Sequence, residues 1–111
     1  MRYSDLISAL RATGIPFAEG EWENAERMHA DYGVYALDGH HGQLADNHHE
    51  DKILRGTVDL YTYHSAGEAK ATMIEEAMEA IGVSWYLEYG PHYERETGLT
   101  RREWVFECLP G

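Results

Sequence analysis

Cysteine is nearly absent from this chain, and the single thiol, Cys108, excludes an intrachain disulfide. Its neighbours Trp104, Val105, Phe106 and Leu109 predict a buried core side chain and not a nucleophile. Basic residues are scarce too. Nine of them against twenty acidic residues leave a formal charge of −11, which excludes a surface that grips phosphates through clustered lysine and arginine. The adjacent Arg101 and Arg102 are too few to reverse that. No apolar run approaches the roughly 20 residues that a membrane span needs. Met1-Arg2-Tyr3-Ser4-Asp5 carries no apolar signal region, so a reducing cytosol is the expected place of synthesis. A Ser-His-Asp order, a phosphate loop and a dinucleotide fingerprint are also missing, so no catalytic residue and no cofactor is predicted.

What is present is enough apolar sequence for one modest core: 43% of 111 residues, read as a single domain over 1–111. The clearest organisation runs from Ile53 to Trp85. From Thr57 to Tyr63, Val58, Leu60 and Thr62 alternate with Asp59, Tyr61 and Tyr63, the period of a half-buried strand. Ser65 then stands as a helix N-cap with Glu68 three residues on, and the helix begins at Ala66. Ala71, Ile74, Ala77, Met78 and Ile81 recur at steps of three and four, with Glu75, Glu76 and Glu79 mostly on the wet side. Gly82 closes the helix, and Val83, Trp85, Leu87 and Tyr89 alternate with Ser84, Tyr86 and Glu88 in a second half-buried strand. The carboxylates along the helix read as a solvated surface, not as an acid–base pair.

Upstream, Ser4 is the expected N-cap of a short helix that buries Leu6, Ile7 and Leu10 and ends at Gly14. Ile15-Pro16-Phe17 opens a strand whose proline suits a sheet edge. The two helix exits align without gaps, 9–17 against 77–85, which reads better as two uses of a glycine cap than as a duplication. Glu19 to Asp31 reads as an irregular loop, Val34–Leu37 as a short strand, Asp38-Gly39 as a hairpin turn, Gln43–Asp46 as a brief return strand, and Asn47–Asp51 as a polar linker. Gly90-Pro91 breaks the chain, His92 to Thr100 forms a long hairpin loop, and Arg102, Trp104, Phe106 and Cys108 alternate with Glu103, Val105 and Glu107 in a closing strand. The sum is an α+β fold: a mainly antiparallel sheet of about five to six strands with two α-helices packed on one face.

Two groups of residues invite a functional reading. His40, His41, His48 and His49 stand with Glu50 and Asp51 within twelve residues, the ligand types of a zinc or nickel site. Adjacent histidines on an extended chain point to opposite sides, so a solvated or partner-contacting loop is the better reading and no metal ligand is assigned. Among eight tyrosines, Tyr61, Tyr63, Tyr86 and Tyr93 fall outside the predicted core. Either they await a protein partner, or the first helix covers the sheet's second face.

The run Gly33-Val34-Tyr35-Ala36-Leu37-Asp38, then Ala45-Asp46-Asn47, then Gly56-Thr57-Val58-Asp59-Leu60-Tyr61-Thr62 resembles the tail-terminator, or tail-completion, proteins of long-tailed bacteriophages and prophages. Ile74-Glu75-Glu76-Ala77, the exit Ile81-Gly82-Val83 and the aromatic strand Arg102-Glu103-Trp104-Val105-Phe106-Glu107 continue the likeness, which covers nearly the whole chain. The histidine-rich segment departs from it. The resemblance implies a non-enzymatic virion protein without cofactors, made in the host cytoplasm. Such a protein forms a homo-oligomeric ring, commonly a hexamer, on the head-proximal end of the major tail tube protein, stops its growth, and presents a surface to the head–tail connector. DNA would pass the channel without specific binding, and with the charge of −11 this makes Glu19, Glu21, Glu23, Glu94 and Glu96 candidates for an acidic channel wall. The plainer role of that charge is solubility. A head–tail adaptor or stopper of the neck is the nearest alternative, and a small histidine-rich metal enzyme or sensor a more distant one.

Overall fold

A computed structural model of the protein describes residues 1–22, 30–38, 53–63 and 67–111. The elements follow in the order α1 (Tyr3–Ala12), β1 (Phe17–Glu19), β2 (Tyr32–Leu37), β3 (Leu54–Tyr63), α2 (Gly67–Ile81), β4 (Ser84–Glu94) and β5 (Leu99–Cys108). Five strands make one sheet in the order β1-β2-β3-β5-β4. β1 runs parallel to β2, and every other neighbouring pair is antiparallel. The fold is therefore α+β, with the mainly antiparallel sheet expected. Gly39 of the expected turn, the return strand over 43–46, the linker at 47–51 and the cap at Ser65 fall outside the described residues, as does 23–29 of the Glu19–Asp31 loop.

Periodicity places the core. Val58, Leu60 and Thr62 on β3 and Trp104 and Phe106 on β5 are fully buried, and the stripes Leu6/Leu10 of α1 and Ile74/Met78 of α2 close over them with no exposure of their own. Both helices thus pack on the same face. The reading in which α1 shields the opposite face does not hold: a helix has one apolar stripe, and that of α1 is spent on the same core as α2. Glu76 and Glu79 lie on the wet side of α2, whereas Glu75 is half-buried, because its Oε2 accepts the indole N–H of Trp104 at 2.9 Å.

Helix α1 starts at Tyr3, with Arg2 and not Ser4 as the cap. The donors that a helix start leaves over are met at a distance: Tyr3 N–H donates to the Leu109 carbonyl (2.9 Å) and Ser4 N–H to that of Gly111 (2.7 Å), while Arg2 N–H donates to Asp5 Oδ2 (3.1 Å). With the chain's end supplying acceptors, no hydroxyl cap is needed. Both helices leave through a glycine with positive φ, Gly14 at +86° and Gly82 at +76°. After α2 the Gly82 and Val83 amides donate to the Glu79 and Met78 carbonyls. After α1 the Thr13 hydroxyl takes over, donating to Leu10 O (2.6 Å) and accepting from Ile15 N–H (3.2 Å).

The largest departure from expectation is β4. It does not stop at Tyr89 but runs through Gly90-Pro91 to Glu94, and the connection to β5 is the four-residue turn 95–98 instead of a long loop from His92 to Thr100. β4 is the outermost strand, where a residue without an N–H costs no ladder bond on its free side. Two register irregularities, between Leu87 and Tyr89 and between Tyr89 and His92, absorb the extra residues. The first also undoes the predicted alternation, since Leu87 pairs with Trp104 on the helix side while Tyr89 pairs with Glu103 on the opposite side. In β4 only Trp85, Gly90 and Glu94 are half-buried; Leu87 and Tyr89 are exposed.

Candidate functional site

No helix covers the other face of the sheet among the described residues, and the register arranges it in rows. From β2 across β3 and β5 to β4 these read Tyr32-Tyr61-Arg101-His92, then Val34-Asp59-Glu103-Tyr89, then Ala36-Thr57-Val105-Tyr86. The middle of the face is charged. Asp59 stands opposite Glu103, two carboxylates that would repel, and Arg101 answers both: its Nη2 lies 3.0 Å from Asp59 Oδ2 and 3.3 Å from Glu103 Oε2. The same guanidinium sits 5.1 Å over the Tyr89 ring. Burial, with Asp59 beside it, pushes the Glu103 carboxyl above the usual carboxylate range. Asp59 Oδ1 and Arg101 Nε are buried without a hydrogen-bond partner.

Beside this cluster lies a cleft of about 200 Å³ whose walls include Glu21, Trp22, Tyr32, Asp59 and Tyr61. Its aromatic wall is held in place by contacts along its length. Trp22 donates its indole N–H to the Gly33 carbonyl at 2.9 Å and meets Tyr32 edge-on at 6.4 Å, and Tyr32 stacks on Tyr61 at 4.9 Å. Burial, followed by the Asp59 charge, raises the Tyr61 hydroxyl above its ordinary value. At the far end of the face Arg55 donates to the Tyr86 hydroxyl at 3.2 Å.

The residues singled out from sequence are only partly brought together. Tyr61, Tyr63 and Tyr86 share the open face. Tyr93 pairs with Thr100 and so belongs to the other face, where it is 56% exposed. His40, His41, His48 and His49 lie outside the described residues, and among the described residues no three metal-binding side chains converge. The acidic candidates divide between opposite edges of the sheet. Glu19, which accepts from the Tyr3 hydroxyl at 3.0 Å, and Glu21 lie at the β1 side, and Glu94 and Glu96 lie at the β4–β5 turn. Glu23 is outside the described residues.

Sequence reasoning missed the Asp59–Arg101–Glu103 cluster and the part of Trp22 and Tyr32 in the cleft. Alternation puts Asp59 and Glu103 on wet faces, but only the β3–β5 register makes them neighbours of Arg101. Arg101 and Arg102, adjacent in sequence, part across the strand. Arg102 is 6% exposed on the helix side, against Gly67, with Nη2 3.7 Å from Glu68 Oε2. Comparison with known protein families, with curated proteins and with solved structures finds no match to this chain.

Proposed function

We propose that this chain is a structural assembly protein without chemistry of its own, a tail terminator that closes a phage tail tube as a homo-oligomeric ring and offers a joining surface to the head connector. The observation that carries this reading is β4, an eleven-residue outermost strand whose large side chains Tyr86, Leu87, Tyr89 and Tyr93 are 47%, 42%, 37% and 56% exposed. An edge strand offers a row of unpaired backbone donors and acceptors, and tyrosine is enriched where such surfaces are covered by protein. The two edges differ, β1 being three residues long and β4 eleven, so contact between unlike edges would be heterologous, the kind that closes rings. The resemblance of Gly33–Asp38, Gly56–Thr62 and Arg102–Glu107 to tail terminators supplies the setting: a ring, commonly of six copies, between tail tube and neck in the virion. In that ring Glu19, Glu21, Glu94 and Glu96 are the described candidates for a wall that repels passing DNA.

Sedimentation velocity on the full chain tests the assembly. The wild type is expected to form a closed oligomer. Leu87→Asp, which places a charge on an exposed position, should melt like the wild type and sediment as a monomer. An oligomer that survives Leu87→Asp and Tyr93→Asp together would remove β4 from the contact.

A further inference from the structure

We infer that the cleft walled by Trp22, Tyr32 and Tyr61 is a binding site for a cationic side chain, the guanidinium or ammonium group of a basic segment in a partner protein. At about 200 Å³ the cleft is smaller than a typical small-molecule pocket of roughly 300 Å³ or more, and it suits a single side chain. Its walls select the charge. Aromatic rings attract cations through their electron-rich faces, and Glu21 and Asp59 add carboxylates at the same opening. Asp59 adds only its charge, since Oδ2 is held by Arg101 and Oδ1 is buried, while the Glu21 carboxylate is exposed and has no partner among the described residues. An apolar occupant would cover the Glu21 carboxylate without satisfying it, and an anion would be repelled. The open face already uses the same chemistry once, where Arg101 lies over Tyr89 while paired with Asp59 and Glu103.

The occupant we assign is a different protein of basic character, since among its described residues this chain has little free positive charge to offer a second copy. Of the basic side chains among the described residues, Arg2, Arg11, Arg55, Lys70, Arg101 and Arg102 are engaged within the chain. Arg95 alone lacks a hydrogen bond or ion pair, and it sits between Glu94 and Glu96 at the β4–β5 turn. A chain of net charge −11 calls for a partner of the opposite sign. The cleft would select a cation whether or not the chain is a tail protein.

The Trp22 indole N–H is a built-in reporter, and its resonance can be followed while isotope-labelled full-length protein is titrated with the peptide acetyl-Gly-Arg-Gly-amide. Saturable movement is expected, weakening as salt rises, with no movement for the citrulline peptide, which keeps the shape and loses the charge. Tyr61→Leu should weaken binding about tenfold, Tyr61→Phe less than about twofold, and Glu21→Gln about threefold. Glu21 is exposed and has no partner among the described residues, so its variant remains decisive if Tyr61→Leu lowers the melting temperature. Equal shifts with the citrulline peptide, no shift with either, or unchanged affinity in Glu21→Gln and Tyr61→Leu would overturn the inference. So would a Trp22 resonance that moves with protein concentration alone and stops moving in Arg95→Glu, because the occupant would then be a second copy.

Discussion

Trp104 is the largest fully buried side chain, and its one polar atom has a single acceptor, Glu75 Oε2, on the neighbouring helix. A buried donor without an acceptor costs more than a hydrogen bond contributes, so Glu75→Ala should lower stability by about 1–2 kcal/mol in urea unfolding. Glu75→Gln, which keeps an oxygen in place, should cost less than half of that. A second residue-scale expectation concerns pH. Native Glu103 keeps its proton to higher pH than the unfolded chain does, since burial and Asp59 both oppose its charge. The folded state therefore binds more protons between the unfolded value of about 4.3 and the raised native value. The stability this group contributes is complete below that window and is lost as pH rises through it. Glu103→Gln should abolish that decline in urea midpoints measured from about pH 4 to about pH 7, and an identical slope in wild type and variant would contradict the assignment.

At the scale of elements, α2 carries the plainest test of register. Met78 is fully buried beside Ile74, so Met78→Asp puts an unpaired carboxylate into the core and should cost about 3 kcal/mol or more, whereas Glu76→Gln on the wet side should leave the melting temperature unchanged. Elements whose shape follows from their own residues were legible in the sequence. The 71/74/78 stripe of α2, the alternation of Val58, Leu60 and Thr62, and that of Arg102, Trp104, Phe106 and Cys108 all face as their periods predict. Elements shaped by distant partners were not. The start of α1 is set by the carbonyls of Leu109 and Gly111, at the far end of the chain. The continuation of β4 past Gly90-Pro91 depends on its place at the sheet edge, and the side that Tyr89 faces depends on an irregularity that periodicity cannot reveal. For the same reason the open face was half legible: its tyrosines could be placed outside the core, while the Arg101 cluster needed the register.

For the whole molecule, two helices on one face of the sheet leave two features with no helix over them among the described residues, the charged aromatic face and the strand β4. These are surfaces suited to other proteins, and they give physical content to the proposal of an assembly role. The acidic excess is compatible with that proposal, since a net charge of −11 would oppose non-specific association of a subunit before its edges are paired. The central claim, that this chain ends the growth of a tail tube, is tested most directly by measuring tube lengths in electron micrographs of particles assembled without it and after purified protein is added back. Without the chain the tubes should overrun the normal length and lack heads, and wild-type protein, but not Leu87→Asp, should restore one sharp length. Tubes of normal, uniform length in its absence would contradict the account.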